Sequence, residues 1–114
     1  MKEILEKLST IQGVRGVALI SKEDGLIIEK IFYDASSSEI MGAMIANMSR
    51  EMENALGKAS DKIPVLSTLY AEKGEIVFIA KSEFILSLLC EKTINLGVVI
   101  IKLRETASEI QSQL

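Results

Sequence analysis

Hydrophobic and polar positions along the chain follow two periodicities, which together predict three helices and five strands in the order αββαβββα. Short continuous apolar segments between turn residues indicate strands, and apolar residues spaced three and four apart indicate helices. The predicted elements are a helix at Lys2–Gln12, strands at Val14–Ser21 and Leu26–Tyr33, a helix ending at Leu56, strands at Val65–Ala71, Glu75–Lys81 and Phe84–Glu91, and a final helix opened by Thr93 or Asn95.

Local signals mark the ends of several elements. Asp24 and Gly25 stand between two apolar segments, and this dipeptide is typical of a hairpin turn. Ser36 followed by Glu39 fits a capping box, in which each side chain bonds a free backbone N–H at the start of a helix. Gly57 then predicts the end of that helix.

The last segment fits two kinds of element. Val98–Ile101 has the composition of a strand. However, a set of apolar residues falls on one helix face over a stretch too long for an ordinary strand, and these residues are Leu96, Ile100, Leu103, Ala107, Ile110 and Leu114. We therefore predict a helix here.

The most continuous apolar strands belong at the centre of a sheet, since they are buried on both faces. These are the first and the fifth, Val14–Ser21 and Phe84–Glu91. The second and third strands then form the edges. The predicted fold is α+β, with three α/β/α layers and a five-stranded, antiparallel-type sheet in the order 2-1-5-4-3.

The middle helix is apolar over more of its circumference than one contact requires. At about 100° per residue, its apolar positions cover an arc of about 160°, whereas a single core-facing stripe needs about 100°. Either the helix lies deep in its own core, or it contacts both the sheet and a second protein. Met is common at adaptable binding surfaces, and Gly42, Ala46 and Ser49 form a row of small residues that another backbone can approach.

The third strand, Val65–Ala71, contains no charged residue. Natural edge strands usually carry a Lys, a central Pro or a bulge that blocks pairing. The other predicted edge carries Glu29 and Lys30 in its middle. We therefore expect a homodimer through the third strand, the alternatives being a loop that covers this edge or a different strand order. The expected interface residues are Met41, Ile45, Ala46, Met48, Ser49, Met52, Leu66, Thr68 and Tyr70.

Composition narrows the function. The 114 residues suit one domain and carry a net charge of −3, which does not favour nucleic acid or an anionic membrane as partner. The chain has no His, so His-based nucleophile activation is excluded, and with one Cys it can form neither a nitrogen- or sulfur-ligated zinc site nor an internal disulfide.

The start lacks a signal-peptide pattern, and no apolar stretch reaches membrane-spanning length. We expect a cytoplasmic protein that is not an enzyme and binds neither a cofactor nor a metal.

Two motifs carry a resemblance to a known family. Gly13 to Ser21, with Gly16 inside it and Asp24-Gly25 just beyond, is similar to the first hairpin of the roadblock/dynein light-chain family. Ile94-Asn95-Leu96-Gly97, at the start of the last helix, is similar to the family's C-terminal signature. The resemblance spans nearly the whole chain and predicts a single roadblock-like domain over residues 1–114, with Gly13, Gly16, Asp24, Gly25, Asn95 and Gly97 as its structural positions.

This resemblance implies a homodimer whose sheets join through the third strands and whose middle helices pair on one face. It also implies a non-enzymatic platform that binds Ras-like small GTPases, in some bacterial members as an activating partner. A structural scaffold or motor-complex subunit is the alternative, and a small-ligand sensory domain would need a cavity between sheet and middle helix. We expect Arg50 to be a surface residue rather than an arginine finger, and Cys90 to be buried and inert.

Overall fold

A computed structural model describes residues 1–32, 38–60 and 62–114 of the chain. Over these residues the element order is αββαβββα, as predicted. The elements are α1 (Lys2–Ser9), β1 (Val14–Ser21), β2 (Ile27–Phe32), α2 (Ser38–Leu56), β3 (Val65–Ala71), β4 (Gly74–Ala80), β5 (Phe84–Cys90) and α3 (Leu96–Ser112).

Within the described ranges, the strands form one five-stranded antiparallel sheet in the order β2-β1-β5-β4-β3, which confirms the predicted α+β topology. The long apolar strands β1 and β5 lie in the interior of the sheet, where both of their faces are covered. The β3–β4 ladder runs without a register shift from Val65 opposite Ala80 to Ala71 opposite Gly74. The β1–β2 ladder, in contrast, shifts register between Leu19 and Ile20.

Helices α1 and α3 cover one face of the sheet, which we call the α1/α3 face. Its core joins buried residues of both helices, including Leu5, Leu8, Leu103 and Ile110, to β4 and β5. An exposed ion pair of 3.1 Å between Lys7 and Glu109 also links the two helices. Of the helices in the described ranges, none has both the length and the apolar character required to cross a membrane.

Helix α2 covers the opposite face, which we call the α2 face. Its core is smaller, and among the described residues it consists of Ala18, Ile20, Ile45, Ala46, Ala59, Phe78, Ala80 and Ile85. Half of these residues are alanines, so α2 lies close to the sheet and fills little volume. Gly57 has a positive φ of 103° at the end of the helix, and its N–H donates to the Glu53 carbonyl, which supports the predicted stop.

Several element boundaries differ from the predicted ones. The first helix ends at Ser9 rather than Gln12, because the chain tightens there and the Ile11 N–H donates to the Leu8 carbonyl. The fourth strand, predicted at Glu75–Lys81, begins one residue earlier at Gly74 and ends at Ala80. Leu114 lies beyond α3 and is 69% exposed, so it is not part of the buried helix face.

The start of α3 follows the predicted capping. The Asn95 side chain accepts a hydrogen bond from the Val98 N–H at 3.3 Å, so Asn95 rather than Thr93 is the N-cap. This cap supports the helix, which includes the four β-branched residues Val98–Ile101. The capping box of Ser36 with Glu39, and the predicted end of the second strand at Tyr33, lie outside what the structure describes.

Candidate interaction surface

The outer edge of β3 has the features expected of a pairing surface. Its residues are uncharged, and its ladder with β4 is continuous over seven pairs, so neither a charge nor a bulge interrupts the edge. Leu66 and Thr68 are half-buried, whereas Tyr70 is 69% exposed. In the described sheet β3 pairs with β4 alone, which confirms its predicted position at the edge.

One flank of α2 continues this surface. Ile40 and Met44 are 67% and 58% exposed, although both are large apolar residues. Met41, Met48 and Met52 lie beside them, half-buried against the core of the α2 face. The broad apolar arc of α2 therefore covers the sheet with one part only and leaves the other part in solvent.

Two shallow apolar grooves meet at Leu69 of β3. The first, of about 270 Å³, lies between the helix and the strand and is lined mainly by Met48, Met52 and Leu69. The second, of about 260 Å³, lies farther along the sheet, where Leu69 is joined by Ile76 and Leu89. Because Leu69 lines both grooves, the apolar surface is continuous from the α2 flank to β3 and onto the neighbouring strands.

Three of the residues expected at the interface have a different location. Ile45, Ala46 and Ser49 are 1%, 3% and 0% exposed, because they face the sheet of their own chain. They have almost no surface left for a partner, so the interface proposed below leaves them out.

The row of small residues on α2 has an intramolecular role. A Cβ on Gly42 would lie 3.1 Å from the Gly25 carbonyl oxygen and 3.2 Å from Cγ1 of Ile27. Gly25 itself lies close to Ala43 and Ala46. The backbone that approaches these small residues is therefore the β1–β2 turn of the same chain, not a partner.

The residues behind the family resemblance have structural positions. Gly13 and Gly25 have positive φ angles of 95° and 74°, in the turns before β1 and after it. Asp24 Oδ1 accepts the Leu26 N–H at 3.0 Å, and this bond, followed by one with Ser21, lowers the pKa of Asp24. Gly16 is buried in β1 opposite Leu89. Asn95 caps α3, and Gly97 lies exposed in its first turn.

The structure also contains a partly buried ion pair that the sequence did not predict. Lys22 Nζ lies 2.8 Å from Glu53 Oε2 and donates to the Lys81 carbonyl at 2.8 Å. Glu53 Oε2 also accepts the Ala59 N–H at 2.7 Å. The pair therefore joins the end of α2 to two turns of the sheet and to the segment that follows the helix.

Opposing effects act on the pKa of Glu53. Burial raises this pKa, but the hydrogen bonds from Lys22 and the Ala59 N–H and the positive charges of Lys22 and Lys58 outweigh burial and lower it. The pair lies in a polar groove of about 680 Å³, which Arg50 also lines. Arg50 is exposed, and its Nη1 donates to Asn47 Oδ1 at 3.2 Å.

Cys90 is fully buried on the α1/α3 face. Burial, followed by the negative charge of Glu75, raises the pKa of its thiol to about 11. The thiolate is the reactive form of cysteine, so the structure agrees with the prediction of an unreactive residue.

Comparison of the sequence with known proteins finds distant relatives. No protein-family model matches the sequence. Two uncharacterized proteins of Methanocaldococcus jannaschii are each 24% identical to the chain, over 96% of its length and 95% of theirs.

Solved structures are more informative. A Roadblock/LC7 domain from Streptomyces avermitilis superposes with a TM-score of 0.81, at 15% identity, over 99% of this chain and 96% of that one. The gliding protein MglB from Thermus thermophilus gives a TM-score of 0.80 at 15% identity, over 99% and 89% of the two chains. A further MglB structure, described as having a tetrameric arrangement, gives 0.80 at 16% identity, over 98% and 88%.

The element order, the 2-1-5-4-3 sheet and the single helix on one face are thus those of a known class of small α+β domain. The chain has the Roadblock/LC7 fold, which confirms the predicted resemblance at the level of fold.

Proposed function

We propose that the protein is a non-enzymatic homodimer that binds a Ras-like small GTPase and regulates it in the cytoplasm. The observation that carries the proposal is the uncharged and regular β3 edge beside an exposed apolar flank of α2. The fold supports it, because MglB shares this fold and one MglB structure is described as tetrameric.

A second copy of the chain is the simplest occupant of this edge. A strand edge with free backbone groups and no charge invites another strand. An identical strand running antiparallel closes the assembly at two copies through a two-fold axis. The α2 flank lies next to the edge, so the same association brings Ile40 and Met44 of each copy toward the middle of the dimer, as the family resemblance implies.

The GTPase part of the proposal rests on the family resemblance, in which such dimers act as platforms for Ras-like GTPases. We expect the dimer to act through the switch loops of the GTPase itself, rather than by donating an arginine. Arg50 supports this expectation, since it lies in the polar groove with the Lys22–Glu53 pair and bonds Asn47 of its own helix.

The alternative functions make different demands on the structure. A scaffold or motor-complex subunit would use the same surfaces without a GTPase. A sensory domain would need space between α2 and the sheet, but in the described residues that space is filled by Ile45, Phe78 and Ile85. We therefore keep the scaffold as the competing proposal.

Two measurements test the proposal in sequence. Light scattering on the purified protein at micromolar concentration should give twice the 12.5 kDa mass of one chain, and the mass of a single chain would overturn the homodimer. Affinity purification from the native cell should then be carried out once with a GTP analogue and once with GDP. Recovery of a small GTPase in one nucleotide state supports the regulator, whereas a set of partners that is the same in both favours the scaffold.

A further inference from the structure

We propose that the two copies pair in one register, with the two-fold axis at Thr68, so that Tyr70 of each copy covers the partner's Leu66. This inference rests on the proposed homodimer and adds the residue pairing to it. It follows from the direction of the backbone groups on β3, from the length of the strand and from the exposure of its side chains.

The β4–β5 turn shows which β4 residues point their N–H and C=O groups toward β5 and which point them toward β3. The Lys81 N–H donates to the Phe84 carbonyl at 2.9 Å. Hydrogen-bonded and non-hydrogen-bonded pairs alternate along an antiparallel ladder. Ile79 therefore bonds β5, and its neighbours Phe78 and Ala80 direct their N–H and C=O groups toward β3.

A second bond gives the same alternation. The Lys22 N–H donates to the Glu83 carbonyl at 3.2 Å, on the β1 side of β5. The carbonyls of Glu83 and Phe84 thus point in opposite directions, as successive residues of a strand require. The assignment along β4 therefore agrees with the bonds on both sides of β5.

The same alternation carries across to β3. Ser67 lies opposite Phe78, and Val65 opposite Ala80, so these β3 residues bond β4. The intervening residues Leu66, Thr68 and Tyr70 then direct their N–H and C=O groups away from the sheet. These three residues carry the backbone groups that a partner strand can bond.

Strand length selects one register among the possible ones. A two-fold axis perpendicular to the sheet places the same side chains of both copies on the same face of the joined sheet. Such an axis lies midway between one residue of β3 and the same residue of the partner, so each register is named by that residue. With the axis at Thr68, the middle of Val65–Ala71, all three outward residues pair within the strand. With the axis at Ser67, Tyr70 would face Pro64, which has no N–H. With the axis at Leu69, Leu66 would face Glu72, beyond the end of β3.

The side chains fit the Thr68-centred register. Leu66 packs against the core of the α1/α3 face but stays half-buried, and Tyr70, two positions from Thr68 on the same face, is 69% exposed. In this register the two residues are directly opposite each other across the axis, where Cβ atoms lie about 4.5–5.5 Å apart. In this register the Tyr70 ring, which is exposed in a single chain, packs over the partly exposed Leu66 of the partner.

Single-cysteine variants test the register. Thr68→Cys should form a disulfide dimer under mild oxidation, because residues opposite each other at a bonded pair have Cα atoms about 5.5 Å apart, within disulfide range. Ser67→Cys and Leu69→Cys should not, because each would meet its own copy only diagonally, about 7–8 Å away. The unchanged chain is the control, since its one cysteine is buried.

A mixing experiment tests the same register at positions away from the axis, where Leu66 of one copy should face Tyr70 of the other. Leu66→Cys and Tyr70→Cys should each fail to cross-link alone but should cross-link when the two proteins are mixed. Efficient self-linking of Ser67→Cys or Leu69→Cys would overturn the register and leave the homodimer intact. A dimer by light scattering that none of these cysteines cross-links would place the interface elsewhere, and a monomer would overturn the proposed function itself.

A proline variant tests the backbone assignment. The Thr68 N–H points away from β4, so Thr68→Pro removes a bond to the partner and none within the chain. It should remain folded by circular dichroism but scatter light as one 12.5 kDa chain. Thr68→Val keeps the N–H and the branched shape and should remain a dimer. A dimeric Thr68→Pro, or one that is unfolded while Thr68→Val is not, would overturn the assignment.

Discussion

The two faces of the sheet are built differently. On the α1/α3 face two helices pack over large apolar side chains, and residues such as Leu5, Leu103 and Ile110 are fully buried. On the α2 face one helix lies over a core rich in alanine, and beside it Ile40 and Met44 remain in solvent. One apolar groove runs from this helix to β3, and a second, which shares Leu69 with it, continues across the sheet.

This difference separates residues that hold the protomer together from residues available to a partner. A single chain buries most of the core of the α1/α3 face, and this buried apolar area stabilises the fold directly. On the α2 face the helix packs on a buried core, but its outer apolar residues remain exposed to solvent. These exposed residues lie beside the uncharged edge strand β3. Substitutions of buried residues on the α1/α3 face should therefore change folding, and substitutions of exposed apolar residues on the α2 face should change association.

The largest contrast is expected between Leu103→Ala and Met44→Ala. Leu103 is fully buried, so its truncation should lower the free energy of unfolding by about 2–5 kcal/mol through lost contacts and a cavity. Met44 is 58% exposed, so its truncation should change protomer stability by less than about 0.5 kcal/mol while weakening association.

Urea denaturation in the Thr68→Pro background measures these two effects without a contribution from dimerisation. The association effect is measured separately, by light scattering over a dilution series with the natural Thr68. If Met44→Ala destabilised the monomer as much as Leu103→Ala does, the α2 flank would belong to the core and the contrast would fail.

An intermediate effect is expected from Glu53→Gln, which keeps the side-chain shape but removes the charge that faces Lys22. Hydrogen bonds to charged groups contribute about 1.5–3 kcal/mol, so stability at neutral pH should fall by about that amount. The folded-state pKa lies below the usual glutamate value of 4.5, so the stabilisation is complete above that value and is lost as the pH falls through the folded pKa.

The advantage of the natural chain over Glu53→Gln should therefore shrink in acid, which urea midpoints measured from neutral pH to well below 4.5 will show. Glu51→Gln is the matched control, because Glu51 is exposed on the same helix and the charge change is identical. A stability difference that stays constant with pH would show that the Lys22–Glu53 charges do not stabilise the fold.

Much of the fold could be predicted because it depends on local patterns. The element order followed from the apolar periodicities and turn signals, and the 2-1-5-4-3 sheet from the two most continuous apolar strands. The end of α1 was missed, because Ile11 keeps the helical spacing while its backbone has already left the helix. Periodicity reports which side chains are buried, not where the backbone hydrogen bonds change.

Predictions about contacts between distant segments were less complete. Lys22 and Glu53 lie on separate elements, and no local spacing indicates that they meet. The row of small residues on α2 was recognised as a site of close approach, but a sequence does not say which backbone approaches. Gly42 and Ala46 face the β1–β2 turn of their own chain, and Ser49 in the same row is fully buried.

The smallest difference in stability is expected between two substitutions in the row of small residues on α2, Gly42→Ala and Ser49→Ala. Gly42→Ala gains helix propensity, worth about 1 kcal/mol, but its Cβ would lie 3.1 Å from the Gly25 carbonyl oxygen, a backbone atom that cannot turn aside. Overpacking usually costs about 1–3 kcal/mol, so we expect a net loss of about 1 kcal/mol. Ser49→Ala should act in the opposite direction, because the Ser49 hydroxyl is buried and finds no hydrogen-bond partner among the described residues.

Removing such a hydroxyl relieves an unpaired polar group, so Ser49→Ala should leave the urea midpoint unchanged or raise it. Both variants should remain dimers at micromolar concentration, since both residues face the sheet of their own chain. If Gly42→Ala were neutral for unfolding but weakened the dimer, the row would face the partner after all. Contact between Gly42 and the β1–β2 turn would then not explain why α2 lies so close to the sheet.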